Sequence, residues 1–332
     1  MDKLKFAIPK GSLEKATAEF FSKSGFKIGG TERTYRPSIN DPQIELKVLR
    51  PQEIPVFVSE GLQDIGITGE DWVKENRADV EVLQNLEYGK IRLVIAVPKT
   101  CENMTVGEFM ESIWAQGKNF RISTEYLNIA SEYIKNTPQY KKRFGDIDPV
   151  LVTPWWKKGD NPRAKIFLSF GATEAKPPED SDAIMDVTET GTTIEANNLR
   201  IVETVLKSAA VLIANRKALE DPEKREKIYD IVALLKGVVD GSKRIHIFVN
   251  VKKENLQRLL TELPALKNPT IAPLADDTWV SVNTVIEKDC LIELLPKIRK
   301  LAQGLVVYEP RQVLALDEIA KRVENPCKSK AK

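Results

Sequence analysis

The chain has 332 residues, 42% hydrophobic and 30% charged, a composition that supports a buried core and excludes a disordered or fibrous protein. At about 100–200 residues per domain, this length predicts two or three domains. Fifty basic against forty-eight acidic residues leave a net charge of +2, and no basic stripe dominates, so nucleic acid is not an expected partner.

Cys101, Cys290 and Cys327 are far apart and form no CxxC pair, which predicts a reducing, cytoplasmic setting. After Lys3 and Lys5 the apolar run covers only 6–8 before Pro9, too short for a signal sequence. No apolar run approaches the ~20 residues that span a bilayer, so no membrane association is expected. His246 is the only histidine. This excludes a His-cluster metal site and argues against a Ser-His-Asp triad. His246 lies in the alternating run 244–251, where it reads as a strand residue on a half-exposed face.

Along the chain, residues 4–9 read as a strand and 13–24 as an amphipathic helix ending at Gly25. Strands are expected at 44–49, 65–69 and 91–97, with helices over 51–60 and from Asp71. This alternation predicts a mostly parallel sheet covered on both faces. A second α/β segment, about 99–189, opens with a strand at 121–126 and a helix at 130–135. Strand segments 149–156 and 164–170 flank Lys157-Lys158-Gly159-Asp160-Asn161-Pro162, which reads as a hairpin loop. Trp155 and Trp156 could stack on a base, or serve packing or an interface.

The stretch 183–194 is the most informative. A buried strand (183–187) meets a hydroxyl-rich turn (Thr188, Glu189, Thr190, Gly191, Thr192, Thr193) and then a helix through 194–199. A helix start carries unpaired N–H groups and partial positive charge, so it binds anions. Gly191 permits close backbone approach, and the threonines add donors. Asp186, at the strand end, is placed to hold ribose hydroxyls. These residues suit a sugar phosphate; an ordinary capped turn is the alternative. Residues 198–208 are expected to be a helix and 210–214 a strand returning to the first lobe. Ligands bind beyond the carboxyl ends of such strands. A charged helical stretch (217–239) leads into a βαββαβ pattern over 245–309, a ferredoxin-like unit. The lysine-bearing tail is expected to be disordered.

Together, Phe6-Ala7-Ile8-Pro9-Lys10-Gly11, Arg50-Pro51-Gln52-Glu53-Ile54-Pro55, Asp64-Ile65-Gly66-Ile67-Thr68-Gly69-Glu70-Asp71, Thr124-Glu125-Tyr126, the 182–198 segment and Leu212-Ile213-Ala214-Asn215 resemble the ATP phosphoribosyltransferase family. Asn268-Pro269-Thr270-Ile271-Ala272-Pro273-Leu274 and Trp279-Val280-Ser281-Val282 resemble the regulatory domain of its long form. The resemblance implies an α/β, two-lobed core like a type II periplasmic binding protein, with a C-terminal ferredoxin-like regulatory domain. Expected boundaries are lobe I at 1–97 and 197–216, lobe II at 98–196, the regulatory domain at 217–320 and a tail at 321–332.

The implied reaction transfers the phosphoribosyl group of 5-phosphoribosyl 1-diphosphate to N1 of ATP, releasing diphosphate, with Mg²⁺ as cofactor and histidine as feedback inhibitor. Dimers assembling to hexamers are also implied. By resemblance, Asp186, Glu174 and Lys10 are catalytic, and Thr188, Glu189, Thr190, Gly191, Thr192 and Thr193 bind the phosphoribosyl diphosphate. Lys10, Gly11, Arg33, Arg50 and Tyr126 bind ATP; Asn250 and Thr270 belong to the histidine site. Direct metal ligands are left unassigned.

The chain departs from the family pattern at Ser12, where many relatives have Arg, and at Pro177-Pro178-Glu179-Asp180, where a Gly is usual. The 155–162 region is longer, and Asn250 stands where some relatives have an acid. Competing readings are a non-catalytic ligand sensor on the same fold and a phosphoribosyltransferase of the common type, which usually carries paired acids before its phosphate loop; here Val187 follows Asp186.

Overall fold

Every position of Ile65–Gly69 is buried, as expected for a strand covered on both faces, and this strand is central to the first sheet. The computed structural model describes all residues except 1, 31–33, 102–103, 265–268 and 325–332, and not the side chains of 322–324. The chain divides into two compact units, Lys5–Glu14 with Lys47–Lys217, and Met1–Leu4, Lys15–Leu46 with Ala218–Lys332. Residues 15–46, expected in lobe I, thus group with the C-terminal part. Among the described residues no helix is long and apolar enough to cross a membrane.

Two large sheets account for most of the first unit. One runs Ile44–Leu49, Leu4–Pro9, Ile65–Gly69, Ala210–Ala214, Glu81–Asn85. The other runs Lys157–Lys158, Pro149–Val152, Asn161–Leu168, Phe120–Thr124, Ala183–Thr188, Ile91–Pro98, Leu199–Ser208. Its core joins Leu93, Ile95, Phe120, Ile122, Ile166 and Met185 to helices Val106–Ala115 and Leu127–Asn136 through Met110, Trp114 and Ile134.

Two expectations for this unit are corrected. Residues 199–208 form a strand, Leu199–Ser208, not a helix. Asn198 ends the preceding short helix Thr192–Ala196 in a left-handed conformation (φ 57°). Ile201, Val202, Thr204 and Val205 are β-branched, which favours a pleated strand. Two register shifts against Ile91–Pro98 break the period-2 alternation that would have revealed it. Secondly, Pro149–Val152 and Asn161–Leu168 are parallel, not a hairpin. The hairpin is local: Lys157–Lys158 folds back on Leu151 and Val152, closed by the Thr153 N–H donating to Trp156 O (3.0 Å).

Because Ile91–Pro98 and Leu199–Ser208 belong to the second sheet, the chain crosses between sheets at 86–90 and at Ala209, not at the expected 97/98 and 196/197. The crossings lie side by side: Leu86 N–H donates to Ala210 O (2.8 Å), and Ala210 N–H to Tyr88 O (2.9 Å).

Helix Glu70–Glu75 follows the first sheet's central strand, yet it is fastened to the second sheet's layer. Trp72 packs on that sheet's core. The Glu75 carboxylate accepts from the N–H groups of Asn128 (2.9 Å) and Ile129 (3.0 Å), in the first turn of Leu127–Asn136. It thereby caps a helix start that has no capping side chain of its own. Asn128 donates in return to Glu75 O (2.9 Å).

In the second unit, strands Arg244–Lys252, Thr270–Pro273, Trp279–Glu287 and Ala302–Tyr308 alternate with helices Leu256–Glu262 and Cys290–Ile298. The spatial order, Thr270–Pro273, Trp279–Glu287, Arg244–Lys252, Ala302–Tyr308, is antiparallel throughout, the ferredoxin-like arrangement the sequence predicted. Ile245, Ile247, Val249, Val280 and Val282 pack under the two helices with Leu259, Leu294 and Ile298. Helix Leu316–Glu324 enters the expected tail; 325–332 lie outside the described residues.

Burial raises the Glu75 carboxyl above its ordinary value, and the Asn128 and Ile129 N–H groups pull it only part of the way back. Glu75→Ala leaves two N–H groups without acceptors and is expected to cost about 1–3 kcal/mol in urea unfolding. Glu75→Gln keeps one acceptor and should cost less. An alanine variant as stable as the parent would show that this cap does not join the two layers.

Candidate active site

Four parallel strands of the second sheet, Pro149–Val152, Asn161–Leu168, Phe120–Thr124 and Ala183–Thr188, end along one edge. The sequence-predicted acids meet there. Asp186 Oδ1 accepts from the N–H of Val187 (2.7 Å). Burial drives the Asp186 carboxyl upward from its ordinary value; the bonds from Val187 and the Thr173 hydroxyl oppose this, and Glu174 raises it further. Thr173 and Glu174 form a short turn whose preceding residue, Ala172, is left-handed (φ 47°). Glu125, one residue past Phe120–Thr124, completes the cluster. Burial raises its carboxyl first and the Asp186 charge second, while a hydrogen bond from Gln52 lowers it. Gln52 follows the first sheet's strand Ile44–Leu49, so this bond joins the two sides of the crevice.

Sequence reasoning quoted Glu125 but assigned it no role. The usable signal was alternation: beyond a strand end, neighbours 125 and 126 point to opposite sides. Among the described residues, no group of three or more His, Cys, Asp or Glu side chains is arranged to hold a metal ion alone.

The loop after Asp186 is organised by its own hydroxyls. Thr188 Oγ1 accepts from Gly191 N–H (2.8 Å), and the Thr190 and Thr192 hydroxyls lie 2.9 Å apart. Thr190 Oγ1 also accepts from Thr192 N–H (3.4 Å). Gly191 has φ 94°, a conformation that L side chains avoid. A β-carbon there would lie 3.4 Å from Ile201 Cδ1. Glu189, Thr190, Thr192 and Thr193 are exposed. Thr188 stands opposite Arg92, and Arg92 opposite Lys207, on neighbouring strands. A pocket of about 480 Å³ is lined by Glu189, Lys90, Arg92, Lys207, Glu70 and Ser208, among others. The three bases were not foreseen, because Arg92 and Lys207 lie on the strands beside the motif, and Lys90 just before one of them, rather than in it.

On the other side, Lys10 and Gly11 follow Leu4–Pro9, and Lys10 N–H donates to Leu49 O (2.8 Å). This brings them to Arg50, whose Nη1 lies 3.4 Å from where a Gly11 β-carbon would stand. Arg33 lies outside the described residues.

Tyr126 is held between two side chains of the fold. Tyr126 is 3% exposed, its ring stacks on Trp72 (4.4 Å between centroids) and its hydroxyl donates to Asp71 Oδ2 (2.6 Å). Ring and hydroxyl are thus both engaged within the fold. Asp71, 4% exposed, also accepts from Ser208 Oγ (2.6 Å). In the other unit, Asn250 and Thr270 are exposed. The pairings Thr270–Asn283–Phe248 and Asn250–Ser281 put both on the sheet face opposite Ile247 and Val249.

Residues 50–237 match the family model for ATP phosphoribosyltransferase, and residues 242–311 match the model for its C-terminal domain (HisG, C-terminal domain). The chain belongs to the ATP phosphoribosyltransferase family. It is 38% identical to the ATP phosphoribosyltransferase of Solibacter usitatus over 94% of this chain and 99% of that protein. It is 37% identical to that of Chlorobaculum parvum over 94% and 97%. A solved structure of the ATP phosphoribosyl transferase (HisG:HisZ) complex from Thermotoga maritima matches with TM-score 0.54 and 25% identity, over 71% of this chain and 98% of that one. The match to both models and to the whole length of these relatives identifies the long form of ATP phosphoribosyltransferase. The chain therefore catalyses the first step of histidine biosynthesis, joining ATP to 5-phosphoribosyl 1-diphosphate.

Tyr126→Phe should lower stability by about 1–3 kcal/mol, since it strips a donor from a buried carboxylate, and should leave the KM for ATP unchanged. Unfolding curves and initial rates check both. A raised KM at unchanged stability would return Tyr126 to the nucleotide.

Proposed function

We propose that the 188–193 loop holds the 5-phosphate of 5-phosphoribosyl 1-diphosphate and that Asp186 holds the ribose hydroxyls, with Glu174 and Glu125 beside C1′. The carboxylate cluster beneath a glycine-organised loop carries this reading. The exposed hydroxyls of Thr190, Thr192 and Thr193 supply donors for the phosphate. Arg92 and Lys207, on the rung beside Thr188, add positive charge. Lys10, Gly11 and Arg50, drawn together by the Lys10–Leu49 bond, take phosphates of ATP, and Lys10 faces the reacting diphosphate.

In the reaction the N1 lone pair of adenine forms a bond to C1′ while the C1′–O bond breaks, with inversion, and diphosphate leaves with the bonding electrons. Positive charge develops on the ribose, so carboxylates held nearby favour the transition state over the ground state. N1 carries no proton to remove, and a general base is not required. The cofactor in this reading is Mg²⁺, held mainly by the substrate diphosphate and neutralising the leaving charge. Asp186, Glu125 and Glu174 are not arranged as a metal site of their own; they add negative charge beside a cation that the diphosphate brings.

The same reading assigns histidine as feedback inhibitor, bound at the 217–320 module through Asn250 and Thr270, and coupled to the site through two global states. It includes assembly of dimers into hexamers and a cytoplasmic location.

Asp186→Asn tests the site. Losing a charge-assisted hydrogen bond should lower kcat/KM ~10- to 100-fold. The same variant should be more stable than the parent at pH 7. The native Asp186 carboxyl titrates above its ordinary value of 3.8, so between the two values the native state holds more protons than the unfolded state. Stability then falls as pH rises through that window, and neutralising the side chain removes the loss. The advantage should shrink as pH is lowered. An Asn variant with parental kcat/KM removes Asp186 from the site.

Regulation is tested by Thr270→Ala, which should weaken histidine inhibition and leave the uninhibited rate unchanged. Undiminished inhibition would place the effector elsewhere.

A further inference from the structure

ATP needs a surface for its base, and the aromatic that resemblance offered, Tyr126, is buried against Trp72. Among the described residues of the unit that holds the site, Trp155, Trp156 and Phe170 are the exposed large aromatics. Trp155 is 72% and Phe170 70% exposed, and the two rings meet edge to face, with centroids 5.9 Å apart and planes at 74°. Such a pair forms a corner: each ring keeps an open face, and a flat heterocycle can stack on one while meeting the edge of the other.

The corner is rigidly mounted. Thr153 Oγ1 accepts from the N–H groups of Trp155 (3.3 Å) and Trp156 (3.0 Å) and donates to Trp156 O (2.9 Å). Beside Phe170, buried Ser169 donates its N–H to Thr124 O (2.9 Å), and its hydroxyl donates to Gly171 O (3.2 Å). Thr173 Oγ1 lies 3.3 Å from Ser169 Oγ and its hydroxyl bonds Asp186, so one short segment carries both Phe170 and a partner of the ribose-binding acid.

The position suits the reaction. Trp155 and Phe170 follow the carboxyl ends of adjacent parallel strands, on the edge where Asp186 and Glu125 stand. The Phe170 strand is two places from the Asp186 strand, roughly 10 Å at the usual strand spacing.

We propose that Trp155 and Phe170 form the platform that carries the adenine ring of ATP and sets its approach to C1′. The proposal rests on the reading of the crevice given above. It also accounts for the cost of displaying two large apolar rings to water.

The test is steady-state kinetics on full-length Phe170→Ala and Trp155→Ala, with Phe170→Trp as the conservative variant and sedimentation velocity on each. The alanine variants should raise the KM for ATP roughly 5- to 100-fold, the range of a lost base–aromatic stack. The KM for 5-phosphoribosyl 1-diphosphate should move less than about twofold, and Phe170→Trp should recover most of the ATP affinity. Calorimetric titration with ATP should show the same ordering. Unchanged KM values for ATP overturn the proposal, as does a loss shared equally by both substrates. A changed assembly mass with parental ATP affinity also overturns it and makes the patch a contact between copies. These results are separable from failure of the crevice reading, which shows instead as parental kcat/KM in Asp186→Asn.

Discussion

Asp71 is the point at which the catalytic unit is tied together. Its carboxylate accepts from Tyr126, at the start of a second-sheet helix, and from Ser208, beside the crossing at Ala209. Its own N–H donates to Ser208 Oγ (3.0 Å). The carboxylate folds back so closely over Gly69 that a β-carbon there would lie 2.1 Å from Asp71 Oδ1, which is why that position is glycine. A buried carboxylate needs every lone pair answered, and here the answers come from separate layers of one unit. Together with the Glu75 cap, this anchors Glu70–Glu75 to both sheets. The strand ends carrying Lys10 and Arg50 are thereby held in a defined relation to those carrying Glu125 and Asp186. In the proposed reading, catalysis by positioning depends on that relation, since ångström errors in placement erode effective concentration.

Much of this was legible from the residues. The ferredoxin-like unit announced itself by clean alternation, as in Ile245, Ile247, Val249 and Val251 against His246, Phe248 and Asn250. The 183–194 motif was legible because its chemistry is local: strand, glycine turn and hydroxyls are contiguous. What was hidden is non-local. Leu199–Ser208 read as a helix because two register shifts against its neighbour scramble its alternation. The pairing of Pro149–Val152 with Asn161–Leu168 looked like a hairpin because a two-residue strand does the folding back. Tyr126 resembled a nucleotide contact, yet its partner Asp71 lies 55 positions earlier, and no local pattern reveals such a bond. Arg92 and Lys207 approach the 188–193 loop only across the ladder.

In the proposed reading of the site, the acids at the crevice are where stability has been exchanged for function. Asp186 and Glu125 each titrate above their ordinary values, chiefly through burial and secondarily through a neighbouring acid. In the free enzyme the charged forms are therefore held at a cost, which the Val187 N–H and the Thr173 and Gln52 side chains only partly relieve. Solvent would relieve it fully, but solvent would also screen the charge from the ribose. A site that must favour a developing cation gains by keeping its anions desolvated and fixed before the substrate arrives, because no reorganisation is then needed as the C1′–O bond breaks. The arrival of positive charge, as a cation accompanying diphosphate or as the oxocarbenium-like ribose itself, offsets the desolvation that folding left uncompensated. On this account the upward displacement of both carboxyls is a consequence of preorganisation, and it explains how a chain with a single histidine, located in the other unit, sustains the chemistry without an acid–base pair.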